Sequence, residues 1–389
     1  MPNNKSDSDQ KSGHSSFDVA IVGGGLAGLS LSILLAKAGY KVALFEKEKY
    51  PFHKVCGEYI SMESWKFIES LGFDLSKAGL PLIKNLIVSS PDGHFIQSQL
   101  GLGGFGISRY FLDNELKAIA INNQVTLFEE AKVNDVTFRN EFFTIKYNGG
   151  ETTAALVAGS FGKRSNLDVK WKRDFINEKP GKLNNYVGVK YHIQSQFPHD
   201  TIALHNFKNG YCGISKVEDN KYCLCYLTSA KNLEDHHNSV KEMERNVLYQ
   251  NPFLKKIFSE SHFLFKEPVT ISQISFDKKS QVENHVLMIG DAAGMITPLC
   301  GNGMSMALHS AKIAFKNIDA FFAKDLSREA METQYATQWQ EIFENRLRNG
   351  RILQKLFGKT LLTNVFIRII KYFPFVIKRM IKATHGKEF

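Results

Sequence analysis

The chain has only five cysteines in 389 residues, and the number is odd. Cys56, Cys212, Cys223, Cys225 and Cys300 therefore imply no disulfide framework. Cys223 and Cys225 share one face of the strand-like run YCLCYL, but no second Cys or His pair follows at zinc spacing. The twelve histidines are scattered, with no His-Glu-x-x-His helix and no ligand-like pairing with carboxylates. Packing or surface roles are expected for them, and no metal site; His53 alone sits beside a motif described below. There is no Gly-x-Ser-x-Gly elbow and no P-loop, so common hydrolase and nucleotide-hydrolysing chemistries are excluded. Residues 1–16 lack an apolar run, so no secretory signal is read there and a disordered lead-in is expected. The expected setting is the reducing cytoplasm.

What is present is an ordinary globular composition, 43% hydrophobic and 23% charged. That excludes disordered, collagen-like and coiled-coil chains. The net charge of +10 is unevenly placed. Residues 346–389 hold eleven Lys or Arg and one acid, which leaves 38 of each sign from the totals of 49 and 39. A neutral body with a basic tail gives no reason to expect a nucleic-acid partner.

The run FDVAIV (Phe17–Val22) ends in glycines, and an apolar helix follows from Leu26 to Ala38, then a strand KVALFE from Lys41 to Glu46. This reads as one β-turn-α-β unit. Helices are also expected at 61–71, 109–122, 237–250, 303–323 and 328–346, and short alternating strands at 184–276. Gly23, Gly25 and Gly28 have the Gly-x-Gly-x-x-Gly spacing at the turn. Gly23 permits the turn, Gly25 lets backbone approach a pyrophosphate, and Gly28 lets the helix pack on the strand. Glu46, eighteen residues past Gly28, is placed to accept ribose hydroxyls. FAD and NAD(P) are both open at this point.

A second motif follows a buried-looking strand: Gly290, Asp291, then Pro298 and the loop Gly301-Asn302-Gly303 opening a helix. This segment resembles the Gly-Asp signature of FAD-dependent aromatic hydroxylases, flavin halogenases and geranylgeranyl reductases. The resemblance implies that Asp291 holds the FAD ribityl chain and that the Pro298–Met304 loop lies beside the flavin. SRYFLDNELKAIA (Ser108–Ala120) resembles the family's Arg-x-x-x-Asp-x-x-Leu helix, which implies that Arg109 lies near the ribityl and pyrophosphate. Val133 falls where the family's backbone brackets adenine. By the same resemblance Leu26, Ala27, Lys47 and Gly159 are expected to contact the cofactor. PFHKVCGEYIS (Pro51–Ser61) resembles the Pro-x-x-Lys-x-Cys-Gly segment of the geranylgeranyl-reductase-like branch. It implies that Lys54, Cys56, Gly57 and Glu58 face the flavin, with Cys56 and Lys54 as candidate catalytic groups.

Two departures matter. Phe161 stands where hydroxylases carry the Asp of an Asp-Gly motif, in VAGSFGKRSNLD (157–168), although Lys163 and Arg164 remain for an anion. NGYCGISKVE (209–218) lacks the Trp and Pro of the reductase motif Tyr-x-Trp-x-Phe-Pro. Trp65, Trp171 and Trp339 fit no halogenase pattern.

The fold implied is α/β: a Rossmann-like FAD-binding domain (17–80, 101–180 and 280–325) interleaved with a β-sheet substrate domain (81–100 and 181–279), and C-terminal helices over 326–389. The expected function is an FAD-dependent monooxygenase that uses NAD(P)H and dioxygen on a hydrophobic, phenolic or lipid-like substrate. The alternative is a reductase of double bonds in prenyl or polyene lipids; a flavin-binding scaffold is the non-enzymatic reading. Residues 351–383 are apolar and basic, broken at Pro374. They are read either as a helical lid or as a peripheral contact with the inner face of a membrane.

Overall fold

The computed structural model describes residues 16–177, 185–357, 359–384 and 386–389. Apart from Ser16, the expected lead-in lies outside the described residues. Phe17–Val22 is almost wholly buried and forms the centre of the first sheet. Its β-branched residues suit a strand covered on both faces. Val42–Phe45 and then Thr126–Phe128 lie to one side, and Gly150–Gly159 and then Val286–Met288 to the other, all parallel. Val282–Glu283 closes one edge antiparallel, and the hairpin Val133–Arg139/Phe142–Tyr147 extends from Gly150–Gly159.

The helix Leu26–Lys37 is buried on nearly every side, which explains its uniform apolarity. It packs against the helices Gly303–Phe322 and Arg109–Asn122. The second sheet runs in the order His262–Phe263, Tyr186–Gln194, Tyr222–Ser229, Gly210–Lys216, Thr201–Phe207, Leu82–Ser89, Phe95–Gly106, Tyr59–Ser61, with Val269–Ile274 beside Tyr186–Gln194. Its helices Val240–Asn246 and Pro252–Glu260 cover one face.

Three expectations change. The strand Phe95–Gly106 carries residues 101–106 into the second sheet, as does Tyr59–Ser61. Gly101, Gly103, Gly104 and Gly106 hide that strand in the sequence; pairing with Leu82–Ser89 and Tyr59–Ser61 supplies it. The single helix expected near 237–250 is two pieces, Val240–Asn246 and the short turn Leu248–Gln250, and a further helix capped by Asn251 begins at Pro252. The helix expected to stop at Arg346 continues to Leu356. There Gly350 allows the close approach of Thr297 and Cys300, 3.0 and 3.2 Å from where its Cβ would stand.

The tail folds as two helices, Thr360–Ile370 and Pro374–Thr384. Ile367, Ile370 and Ile377 bury themselves on the second sheet with Val88, Ile96 and Leu227. The inner residues of this segment thus pack on the domain.

Gly28 marks a close contact between the helix and the turn that follows the first strand: its Cβ would stand 2.1 Å from the Gly23 carbonyl oxygen. Gly28→Ala is expected to destabilise the fold by about 1–3 kcal/mol through overpacking. Urea unfolding followed by far-UV circular dichroism measures it; an unchanged midpoint would refute the close packing.

Candidate functional site

A cavity of about 960 Å³ runs between the two sheets. Its wall holds every residue expected to contact the cofactor except Gly28 and Gly159. Gly28 is spent on packing. Gly159 lies in the ladder between Val22 and Met288, and its hydrogen faces the Phe161 ring and the Met288 sulfur, so its expected place on the site is corrected. Its neighbours Ser160 to Asn166 line the wall instead.

One end of the cavity is built from backbone and charge. Gly23 takes φ 108°, and a Cβ there would meet Ser160 backbone at 2.3 Å. A Cβ on Gly25 would project into open space, with Arg109 Nη2 nearest at 3.9 Å. Glu46 is buried, and its carboxylate accepts from the Gly24 and Glu48 amides at 3.0 and 3.1 Å. The helices Arg109–Asn122, Pro252–Glu260 and Arg328–Leu356 are capped by Ser108, Asn251 and Ser327. Leu26–Lys37 and Gly303–Phe322, which open at the cavity on Gly25 and Asn302, carry no side-chain cap. Two uncapped N-termini facing one cavity leave amide donors for anionic groups. The donor set fits a dinucleotide: amides for its pyrophosphate, Glu46 for a ribose, and Asp291 on the same cavity wall for further hydroxyls.

Arg109 Nε and Nη2 donate to Asp113 at 2.7 and 2.8 Å, and Lys54 Nζ donates to the same carboxylate at 3.0 Å. Burial would raise the Asp113 carboxyl, but the two cations hold it below its usual range. Lys54 also lies over the Phe52 ring and within 3.5 Å of the Gly24 carbonyl. Its ammonium thus stands at the glycine-loop end, paired with Asp113. Burial pushes the Asp291 carboxyl up, against Lys279, Arg109 and Lys163. Lys279 donates to the Asp291 and Lys163 carbonyls at 2.8 and 2.6 Å, and burial lowers its ammonium to about 8. Buried Arg173 pairs with Asp168 at 2.7 Å and donates to the Ala292 carbonyl, which braces the Gly-Asp turn from behind.

Cys56 lines the cavity, and burial pushes its thiol up, so it is a neutral S–H donor. Its carbonyl accepts from the Cys223 thiol at 3.2 Å. Glu58 anchors this segment. It sits at φ 53° and is fully buried. Its carboxylate accepts from Lys190, from the Arg109 amide at 2.8 Å and pairs with His192 Nε2 at 2.6 Å. Burial would raise its pKa; Lys190 and His192 instead bring it down to about 2. Sequence reasoning named Glu58 but missed Lys190 and His192. The available signal was a Lys and a His two apart in an otherwise buried strand, VGVKYHI, which puts both on one face. Glu58, His192 and Cys223 also bring three ligand-type atoms within 4.8 Å of one another. Lys190 already supplies the cation there. His53 lines the cavity, stacks on Tyr110 at 4.7 Å, and is lowered by burial to about 4, so it is neutral.

The other end of the cavity is apolar. Leu86, Val88, Ile96, Leu204 and Leu227 come from the second sheet, and Phe357, Phe366, Ile370, Ile377 and Met380 from the C-terminal helices. The Tyr59 and Tyr211 rings join this wall, and among the described residues their buried hydroxyls have no hydrogen-bond partner.

Lys190→Met is expected to cost about 3–5 kcal/mol, because it strands a buried carboxylate. A depressed carboxyl stabilises the fold above its unfolded pKa and loses that contribution as pH falls through the folded value. The stability gap between wild type and Glu58→Gln should therefore be full above about pH 4.5 and close as pH falls toward about 2. Denaturant titrations across that range measure it; a gap independent of pH would contradict an ionised Glu58.

Residues 16–97 match a family model described as an FAD binding domain. Among curated proteins, the chain is 23% identical over 368 residues to conditioned medium factor receptor 1 of Dictyostelium discoideum, covering 84% of this chain and 68% of that protein. It is 26% identical over 369 residues to digeranylgeranylglycerophospholipid reductase of Methanococcus vannielii, covering 88% and 87%. Among solved structures, a geranylgeranyl bacteriochlorophyll reductase-like protein of Thermoplasma acidophilum superposes with a TM-score of 0.75 at 19% identity, covering 96% and 97%. These likenesses show the fold of FAD-binding flavoproteins, with a match to an FAD binding domain over the first part of the chain.

Proposed function

We propose that this protein is an FAD-dependent monooxygenase that hydroxylates a long apolar substrate bearing a phenolic or similar polar end. The observation that carries the reading is one continuous cavity, lined by the glycine motifs and also by apolar residues of the second sheet and the C-terminal helices. FAD supplies two-electron redox chemistry at its ring when bound. The residues do the rest. Gly23, Gly25 and the uncapped helix starts receive the pyrophosphate, Glu46 a ribose, and Asp291 the ribityl hydroxyls. Arg109 and Lys54, locked by Asp113, keep positive charge beside the glycine loop. The apolar end excludes water from the reacting centre. A buried hydroxyl without a partner costs about 1–3 kcal/mol; a polar substrate end accepting from Tyr211 or Tyr59 removes that penalty. Lys163 and Arg164 at the wall suit the phosphates of a nicotinamide donor.

A second reading, double-bond reduction in a prenyl or polyene lipid, is favoured by one observation: the neutral Cys56 thiol on the cavity wall is a proton donor.

Protein loaded with FAD and supplied with NADPH or NADH is to be incubated with long-chain alkyl and prenyl phenols under isotopically labelled oxygen. The expected product gains one labelled oxygen atom, and Tyr211→Phe raises KM more than it lowers kcat. A product that gains two hydrogens without oxygen, in a reaction abolished by Cys56→Ala, would overturn hydroxylation in favour of reduction. Asp291→Ala is expected to weaken FAD retention by about tenfold or more, through loss of a charge-assisted hydrogen bond. Equilibrium dialysis measures it, and unchanged retention would refute the assignment of Asp291.

A further inference from the structure

The two C-terminal helices have two different faces. Thr363, Ile367 and Ile370 point inward and are buried. Leu361, Val365 and Ile369, spaced four apart, form an outward row that is 75%, 47% and 55% exposed. At and beyond the turn, Tyr372 and Phe375 are also exposed, at 72% and 69%. Contiguous apolar surface of this kind marks an interaction site.

What flanks the row identifies its partner. Lys359, Lys371, Lys378, Arg379 and Lys382 are all exposed beside it. No acidic residue occurs anywhere from 345 to 387. Arg368 is the exception among the cations, since it pairs with Asp92 at 2.6 Å. Apolar side chains accompanied by cations that form no ion pair among the described residues complement the acyl boundary and the anionic headgroups of one bilayer leaflet. No single helix is long and apolar enough to cross a membrane, and the two helices are bent by 119° at their junction. That geometry suits a pair lying along a surface.

We propose that this outward face docks the protein on an anionic phospholipid bilayer. Leu361, Val365, Ile369, Tyr372 and Phe375 enter the interfacial layer, and the flanking lysines meet the headgroups. Phe366, Ile370, Ile377 and Met380, on the same helices, line the apolar end of the cavity. A lipid-soluble substrate would then enter from the leaflet beneath which that cavity lies; this last step rests on the substrate reading above, whereas the docking does not.

The test is co-sedimentation of the full-length, FAD-loaded protein with mixed phosphatidylcholine–phosphatidylglycerol vesicles and with pure phosphatidylcholine vesicles. The wild type is expected to pellet with the mixed vesicles and about tenfold more weakly with the neutral ones. Raised salt should weaken the interaction without abolishing it. Leu361→Gln with Phe375→Gln is expected to weaken binding to the mixed vesicles by about tenfold or more. Its circular dichroism and flavin absorbance should match wild type, because both side chains are largely exposed. If that pair misfolds, Lys371→Gln with Lys378→Gln reads the electrostatic half alone and should remove the preference for the mixed vesicles. Wild type left in the supernatant, or pelleting indifferent to both pairs, would overturn the proposal. So would light scattering that shows a dimer converted to monomer by Leu361→Gln with Phe375→Gln, without vesicle binding. None of these readouts involves turnover, so they stand apart from the hydroxylation test.

Discussion

The buried carboxylate of Glu58 is the constraint on which the site depends. It follows Cys56 and Gly57 in a segment that leaves the first sheet and enters the second at Tyr59. Its partners come from two places: the Arg109 amide at the start of a helix packed on the helix Leu26–Lys37, and Lys190 and His192 on one strand of the second sheet. Ionised Glu58 is tolerable in the interior only while all three remain. The two sheets are therefore held in one relative position, and Cys56 is held on the cavity wall between them. A residue other than glycine at φ 53° persists only where its surroundings over-determine it, and these contacts do so.

From that anchor the cavity divides into two chemistries. Toward the first sheet, Arg109 continues from Glu58 to Asp113, and Asp113 to Lys54, so positive charge stands beside the Gly23–Gly28 turn. Toward the second sheet, polar groups give way to aliphatic strands and to the inner face of the C-terminal helices. The tail thus acts on both sides. Its inner residues complete the apolar chamber, and its outer residues carry the surplus charge that makes the chain basic.

The dinucleotide half was legible because its chemistry is local. Gly23, Gly25 and Gly28 act on neighbouring backbone, and Glu46 and Asp291 sit at strand ends that hydrophobic runs announce. Arg109 and its partner Asp113 were readable from their helix motif, four residues apart, but the third member of the lock, Lys54, lies 59 residues from Asp113. Lys190 and His192 lie more than 130 residues from Glu58, and no spacing rule reaches that far. The strand Phe95–Gly106 was obscured because its glycines have no side chains to show an alternating pattern. The lid could not be separated from a membrane element by sequence because an amphipathic helix offers one pattern to either partner. Packing shows that the inner row is used by the protein itself, and the outer row is left over.

The central claim is that one cavity holds FAD at its glycine end and an apolar substrate at its lid end. A crystal structure of the protein soaked with FAD and a long-chain alkyl phenol tests it most directly. The account predicts the adenosine between Glu46 and Val133, the flavin ring beside Gly301–Gly303, and the alkyl chain among Leu86, Ile96, Phe366 and Ile377. An FAD bound elsewhere, or an alkyl chain outside the lid while the chamber stays closed, would contradict it.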